Sequence, residues 1–207
     1  MNLFAALVML AASGVPPCGS ARLHHGDIQW SERITVSAPD RASQVEVHPN
    51  LESDENETPV ILRFCRDGST KPLITLQRAG TVNWSPDSQR LLIINSPVSN
   101  TYEVMLFTLS GDGQVAEEGD LNADILRERP SAGPGFEKVI FYLPNFASWK
   151  GNELVLSVGV TLGPERSGPT STMCYGVAID SQTHRVSRSM SAATLKKKYG
   201  ASCQMSP

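Results

Sequence analysis

Apolar positions along the chain alternate with polar ones or gather in short continuous runs, and neither pattern keeps a helical period of 3.6 residues for long. The runs are Ile34 to Ala38, Gln44 to His48, Val60 to Phe64, Leu73 to Leu76, Leu91 to Ile94, Tyr102 to Leu109, Val139 to Leu143, Leu154 to Val160 and Met173 to Ile179. Each has the length of a strand. Turn chemistry separates them at Asp67-Gly68, Ser85-Pro86-Asp87, Ser110-Gly111-Asp112-Gly113, Lys150-Gly151-Asn152 and Asp180-Ser181. Two helices are predicted: Leu121 to Arg129 after Asp120, and Ser191 to Tyr199 with Ser191 as N-cap and Gly200 at the exit. Asp40 to Ser43, Glu52 to Glu57, Pro130 to Gly135 and Gly163 to Thr172 read as loops. The pattern predicts an all-β, antiparallel chain with one or two short helices.

A repeat surrounds two tryptophans. One copy runs Val82-Asn83-Trp84-Ser85-Pro86-Asp87-Ser88-Gln89-Arg90-Leu91-Leu92-Ile93-Ile94, then Tyr102 to Phe107, then Gly113-Gln114-Val115. The other runs Ala147-Ser148-Trp149-Lys150-Gly151-Asn152-Glu153-Leu154-Val155-Leu156-Ser157-Val158, then Tyr175 to Asp180, then His184-Arg185-Val186. Each reads strand, tight turn, strand, loop, strand, turn, strand. A spacing of about 65 residues is long for a propeller blade, with the excess placed in the loop Glu117 to Phe136.

The first copy resembles the blade motif of the TolB-like family of β-propellers, approximately W-S-P-D-G-K-x-L-A-F, in Trp84-Ser85-Pro86-Asp87 and Leu91-Leu92-Ile93. Ser88 stands where that family usually has glycine, and no Asp precedes the turn at Ser110-Gly111. The second copy keeps Trp149, a turn glycine and Asp180 before its last turn, and lacks Ser-Pro-Asp. The resemblance implies that Trp84 and Trp149 pack between adjacent sheets and that Pro86 and Asp87 shape a turn. It implies architecture and is nearly silent on function. Since a closed propeller has at least four blades, the expected fold is an incomplete or atypical propeller-like stack of sheets, with a β-sandwich as the alternative.

The chain has 207 residues with a formal net charge of −3, which argues against a nucleic-acid-binding face. Residues 1 to 21 carry no charged side chain, and Leu3 to Val15 form an apolar run interrupted by Ser13 and Gly14. That length suits a signal peptide and is too short to span a bilayer. Cleavage is expected after Ala21, following the small residues Gly19 and Ser20, which leaves residues 22–207 as a single all-β domain with blade-like repeats near 80–117 and 137–188. Val15-Pro16-Pro17 ahead of Cys18 does not resemble a bacterial lipobox. With Cys18 shed, Cys174 is expected to pair with Cys203 and tether the polar tail, and Cys65 to be a small buried hydrophobe.

Chemical motifs are sparse. A chain starting Arg22-Leu23-His24 would present a free amine and a third-position imidazole, a geometry that takes square-planar Cu(II), with His25 as a further ligand. The competing reading is a frayed terminus. Glu52, Asp54, Glu55 and Glu57 offer hard oxygens for Ca²⁺ but lack an EF-hand's rhythm, and a solvated acidic loop is the simpler reading. No nucleophile elbow, zincin helix, Walker loop or dinucleotide fingerprint occurs. His48 and His184 are candidates for a triad assembled in space, with a surface role as the plainer alternative for His184. Lys196-Lys197-Lys198 complements the dipole of the last helix. Asn56-Glu57-Thr58 and Asn83-Trp84-Ser85 match the glycosylation sequon.

These readings lead to an exported, non-catalytic protein-binding module of the periplasm or exterior, of scaffold, inhibitor or immunity type, with no cofactor. Contacts are expected on loops such as Pro97 to Thr101 and Gly163 to Thr172. A secreted hydrolase with a loop-built active site is the rival class, and copper binding at a processed N-terminus is the third reading.

Overall fold

A computed structural model of the chain describes residues 18, 22–23, 25–29, 33–48, 58–76, 78–98, 101–118, 121–131, 138–164 and 168–203. The strands are β1 (Arg22–Leu23), β2 (His25–Gln29), β3 (Ile34–Ser37), β4 (Ser43–Val47), β5 (Thr58–Phe64), β6 (Thr70–Leu76), β7 (Ala79–Trp84), β8 (Arg90–Val98), β9 (Thr101–Leu109), β10 (Val115–Glu117), β11 (Lys138–Lys150), β12 (Glu153–Gly163), β13 (Ser171–Asp180) and β14 (Arg185–Ser191). Two helices, α1 (Leu121–Arg127) and α2 (Ala192–Tyr199), complete the described elements.

The strands form three sheets, each built on a four-strand antiparallel meander. The first has the order β1-β3-β4-β5-β6, the second β10-β9-β8-β7-β2 and the third β11-β12-β13-β14. The extra strands of the first two sheets come from one stretch of chain: β1 pairs in parallel with β3, and β2 pairs antiparallel with β7. The sheets stack face to face as a propeller-like series that does not close.

Burial explains why some strands alternate and others are apolar throughout. Leu91 and Ile93 of β8 face the first sheet, with Trp84 and Phe107 beside them and Val36, Val45, Val60 and Leu62 opposite. Leu92 and Ile94 face the third sheet and meet Leu154, Leu156, Val158 and Tyr175. The second sheet is therefore covered on both faces, which demands the continuous Leu-Leu-Ile-Ile run. Strand β4 buries Val45 and Val47 on one face only, and Gln44 and Glu46 fall on the other.

The third sheet is also covered on both faces. Leu195 of α2 packs on Val155 and Ala178, with Ala147, Met190, Tyr199 and Cys203 around it. Gly176 permits this close seat, because a Cβ there would lie 2.9 Å from Leu195 Cδ1. Ser191 Oγ accepts the Thr194 N–H at 3.2 Å, and Gly200, at φ 67°, ends α2. A disulfide joins Cys174 of β13 to Cys203 beyond the helix, with Cα atoms 5.7 Å apart.

Cys65 requires a correction. It is disulfide-bonded to Cys18, Cα to Cα 5.5 Å, and belongs to none of the hydrophobic clusters. Val60, Leu62 and Phe64 take the core side of β5, so the next position in the alternation falls outside the core. Strand β11 is also longer than its apolar segment, continuing through Pro144 to Lys150 with bulges near Ile140 and Ala147. Proline and bulges suit its position at the edge of the third sheet.

Both tryptophans stand at the turn end of the first strand of their meander and face the preceding sheet. Trp84 is 2% exposed and its indole N–H donates to the Val36 carbonyl at 3.1 Å. The Trp149 indole nitrogen is buried without a hydrogen-bond partner. Trp84→Phe should lower stability by about 1–2 kcal/mol, since it removes the indole hydrogen bond to the buried Val36 carbonyl as well as shrinking the side chain. Trp149→Phe removes an unpaired polar atom and should cost less. Urea unfolding midpoints measure both, and equal losses would contradict the assignment.

Candidate functional site

Turns between the first and second strands, and between the third and fourth, lie at one end of every meander. The three sheets align these ends. Ser88 Oγ in the second sheet accepts the Asp40 N–H of the first at 2.9 Å, and Arg90 Nε donates to the Ser181 carbonyl of the third at 2.8 Å. The result is a row of six turns in register across the stack.

Their local chemistry is shared. One residue in each takes a left-handed backbone: Arg41 (φ 58°), Gly68 (72°), Ser88 (62°), Gly113 (81°), Gly151 (57°) and His184 (55°). An aspartate precedes it in five of them and ties the turn to itself. Asp40, Asp67, Asp87, Asp112 and Asp180 accept the N–H of Ala42, Ser69, Gln89, Gln114 and Gln182 at 2.8–3.1 Å. Ser88 holds the conformation for which the resembling motif uses glycine. Sequence reasoning missed a third copy of this turn, Ala38-Pro39-Asp40-Arg41, which matches Ser85-Pro86-Asp87-Ser88. Its signal was the repeated Pro-Asp followed by an alternating strand.

An open cleft lies between the turns of the first two sheets. One lobe, of 390 Å³, is lined by Arg66, Asp67, Ser69, Lys71 and Gln114, and the other, of 300 Å³, by Asp40, Asp87, Ser88, Gln89 and Leu109. Phe64, Ala42, Gly111 and Gly113 border both lobes. Lys71 Nζ donates to the Gly113 carbonyl at 2.7 Å and straps the two sheets together. The cleft therefore combines an aromatic wall with carboxylates in both lobes, Asp67 and Asp112 in one and Asp40 and Asp87 in the other, and the basic Arg66 and Lys71 in the first lobe alone.

Asp67, Asp87 and Asp112 are each shifted below the ordinary carboxylate range. Hydrogen bonds from Ser69 lower Asp67, and the Ser110 hydroxyl followed by the Gln114 N–H lowers Asp112. For Asp87, partial burial acts to raise the carboxyl, but the Ser85 hydroxyl, the Gln89 N–H and the Arg90 charge outweigh it, leaving it below the ordinary range. A general acid near neutral pH needs the opposite shift. These groups are suited to accepting hydrogen bonds and positive charge.

The structure separates the histidines considered for catalysis. His184 Nδ1 pairs with Glu118 Oε2 at 3.0 Å, at the turn end of the third sheet. His48 Nε2 meets Glu46 Oε2 at 3.1 Å on the outward side of the first sheet. Neither borders the cleft. His25 lies in β2 with its backbone opposite Asn83, whereas His24 and the acidic residues Glu52, Asp54, Glu55 and Glu57 lie outside the described residues. Of the expected contact loops, the one before Thr101 joins β8 to β9 and the one after Gly163 joins β12 to β13, at the end opposite the cleft. Their residues 99–100 and 165–167 are outside the described set. Sequon residue Asn83 is buried in β7.

Glu46 anchors a separate polar cluster. Arg63 Nε and Nη2 donate to its two oxygens at 2.5 and 3.2 Å, and Gln44 Nε2 adds a bond at 2.6 Å. The Arg63 hydrogen bond, opposed by burial and helped by Gln44, the Arg63 charge and His48, pulls the Glu46 carboxyl down to about 2. Comparison of the chain with protein-family models, curated proteins and solved structures finds no match.

A folded-state value below the unfolded one stabilises the protein above the ordinary carboxylate range, and that contribution disappears as pH falls toward 2. Glu46→Gln should cost about 2 kcal/mol at pH 7, after allowing for solvent screening at the partly exposed Arg63. In denaturant titrations the stability gap between the two proteins should shrink severalfold from pH 7 to pH 2.5. A constant gap would mean that Glu46 acts through packing alone.

Proposed function

We propose that this chain is an exported, non-catalytic protein-binding module that receives a segment of a partner protein in the turn-end cleft. The observation that carries the reading is the cleft itself. It is an open trough with Phe64 in its wall, hydrogen-bonding edges, carboxylates in both lobes and the basic Arg66 and Lys71 in one of them. An extended peptide presents alternating side chains and backbone donors and acceptors, which such a trough can match.

Three features support the setting. Two disulfides suit an oxidising compartment. The apolar, uncharged stretch ahead of Cys18 has the character of an export signal. No helix among the described residues is long and apolar enough to cross a membrane. The resemblance of Trp84-Ser85-Pro86-Asp87 to TolB-like blades is compatible with an envelope role as scaffold or inhibitor. Carboxylates lowered by their own turns favour binding over proton transfer.

Gly111 allows a clean test. It borders both lobes, its φ is not positive, and a Cβ built there meets nothing within 4 Å. Gly111→Arg should change stability by less than about 0.5 kcal/mol while filling the trough. The oxidised protein and this variant are to be compared in crosslinking pull-downs from envelope extracts. A partner held by the natural chain and lost at least tenfold by the variant supports the reading. Equal capture by both, or no partner at all, overturns it, as would turnover of ester or peptide substrates that survives the variant.

A further inference from the structure

The segment Cys18 to Gln29 is built into the stack. Cys18 is bonded to Cys65, at the turn end of the first sheet. Arg22 and Leu23 then pair with Val36 and Ser37, and His25 to Gln29 pair with Asn83 to Ala79. One short stretch of chain thus lines the edges of two sheets in succession.

Its first part is weakly held by the backbone. Strand β1 has two paired residues, too few to fix an end against fraying. A covalent tie four positions upstream supplies that restraint, closing a separation of 47 residues. Cleavage after Ala21 would discard the tie, place a new ammonium on the first residue of β1 and leave Cys65 as an odd thiol. With the tie kept, no cysteine is free.

The sequence contains another processing position. Eight apolar residues, Leu3 to Leu10, are followed by Ala11-Ala12-Ser13-Gly14, which places small residues at both recognition positions of a bond after Gly14. Pro16 and Pro17 then fall on the mature side. Building on the export reading, we infer that the leader is removed at the Gly14–Val15 bond, so that Cys18 remains in the mature chain as the partner of Cys65.

Water adds across the Gly14–Val15 peptide, giving a carboxylate on Gly14 and an ammonium on Val15. Cys18 and Cys65 each lose a thiol hydrogen, and the two electrons pass to a disulfide-bearing oxidoreductase of the export compartment, which becomes a dithiol. A sulfur held in this disulfide is not available for a lipid thioether, so Cys18 is a staple and not an anchor. Arg22 is then internal, and the amine required by the copper reading at His24 does not exist.

The test is intact-mass and N-terminal analysis of the full chain, expressed with its leader in a bacterial host and recovered from the periplasm. Samples are denatured and alkylated with and without prior reduction. The expected product starts at Val15, takes no alkyl group unreduced and four after reduction, and yields a Cys18–Cys65 linked peptide. Cys18→Ser should be processed at the same bond and gain one alkyl group without reduction. Ala21→Leu should leave processing unchanged, whereas Ala12→Leu with Gly14→Leu should block it, and these readouts do not depend on folding. A product starting at Arg22, or an acylated Cys18, overturns the inference and leaves export intact. A full-length cytoplasmic product with four free thiols overturns the export reading itself.

Discussion

The second sheet has to be dry on both faces, and the architecture follows from that requirement. Four consecutive apolar residues, Leu91 to Ile94, cannot be satisfied by one neighbouring layer, because alternate side chains point in opposite directions. One cover comes from the first sheet and the other from the third. Burial is worth roughly 1.5–3 kcal/mol for each such side chain, so neither cover is dispensable. Trp84 fixes how the first layer sits, since its indole N–H reaches one backbone carbonyl in the neighbouring sheet. Non-directional burial makes the stack, and one directional bond helps set its registration.

That registration brings the turns together. Asp40 donates its backbone N–H to Ser88 across the sheet boundary while its carboxylate stabilises its own turn. The turns are consequently rigid at the backbone and still present polar groups at the surface. On the proposed reading, a cleft made in this way would need little ordering on entry of a peptide, which would favour affinity. Turn hydrogen bonds also hold the Asp67, Asp87 and Asp112 carboxyls below their ordinary range, which suits these groups to accepting hydrogen bonds and positive charge.

Much of the fold was legible because it rests on local periodicity. The strands of the second sheet's core, both helices and the Ser191 and Gly200 caps are written in patterns a few residues long. Other elements are not. Strand β14 is almost entirely exposed and lacks an apolar face, so only its place in the repeat marks it. Strands β1 and β2 exist through pairing with residues far along the chain, which no window of sequence contains. The strands of the first meander are legible in the same way, but its kinship with the repeat escaped detection. Its counterpart of Trp84 is Ser37, which faces away from the second sheet and has no preceding sheet on which a tryptophan could pack. The residue that makes the repeat visible is absent where its physical purpose is absent. The cleft was illegible for a related reason, since its lining comes from turns separated by tens of residues.

The two ends of the stack show how an open series of sheets avoids adding further layers. The third sheet exposes no broad apolar face, because Leu195, Met190 and Tyr199 cover it and the Cys174–Cys203 bond holds the tail nearby. The first sheet uses charge. Gln44, Glu46, His48 and Arg63 occupy the face opposite its core, and stacking another apolar sheet there would desolvate a charged network. One end is thus closed by hydrophobic cover and the other by electrostatic cost. The turn-end cleft stays open because its walls belong to two sheets whose separation is fixed by the bonds of Trp84, Ser88 and Lys71 across the boundary.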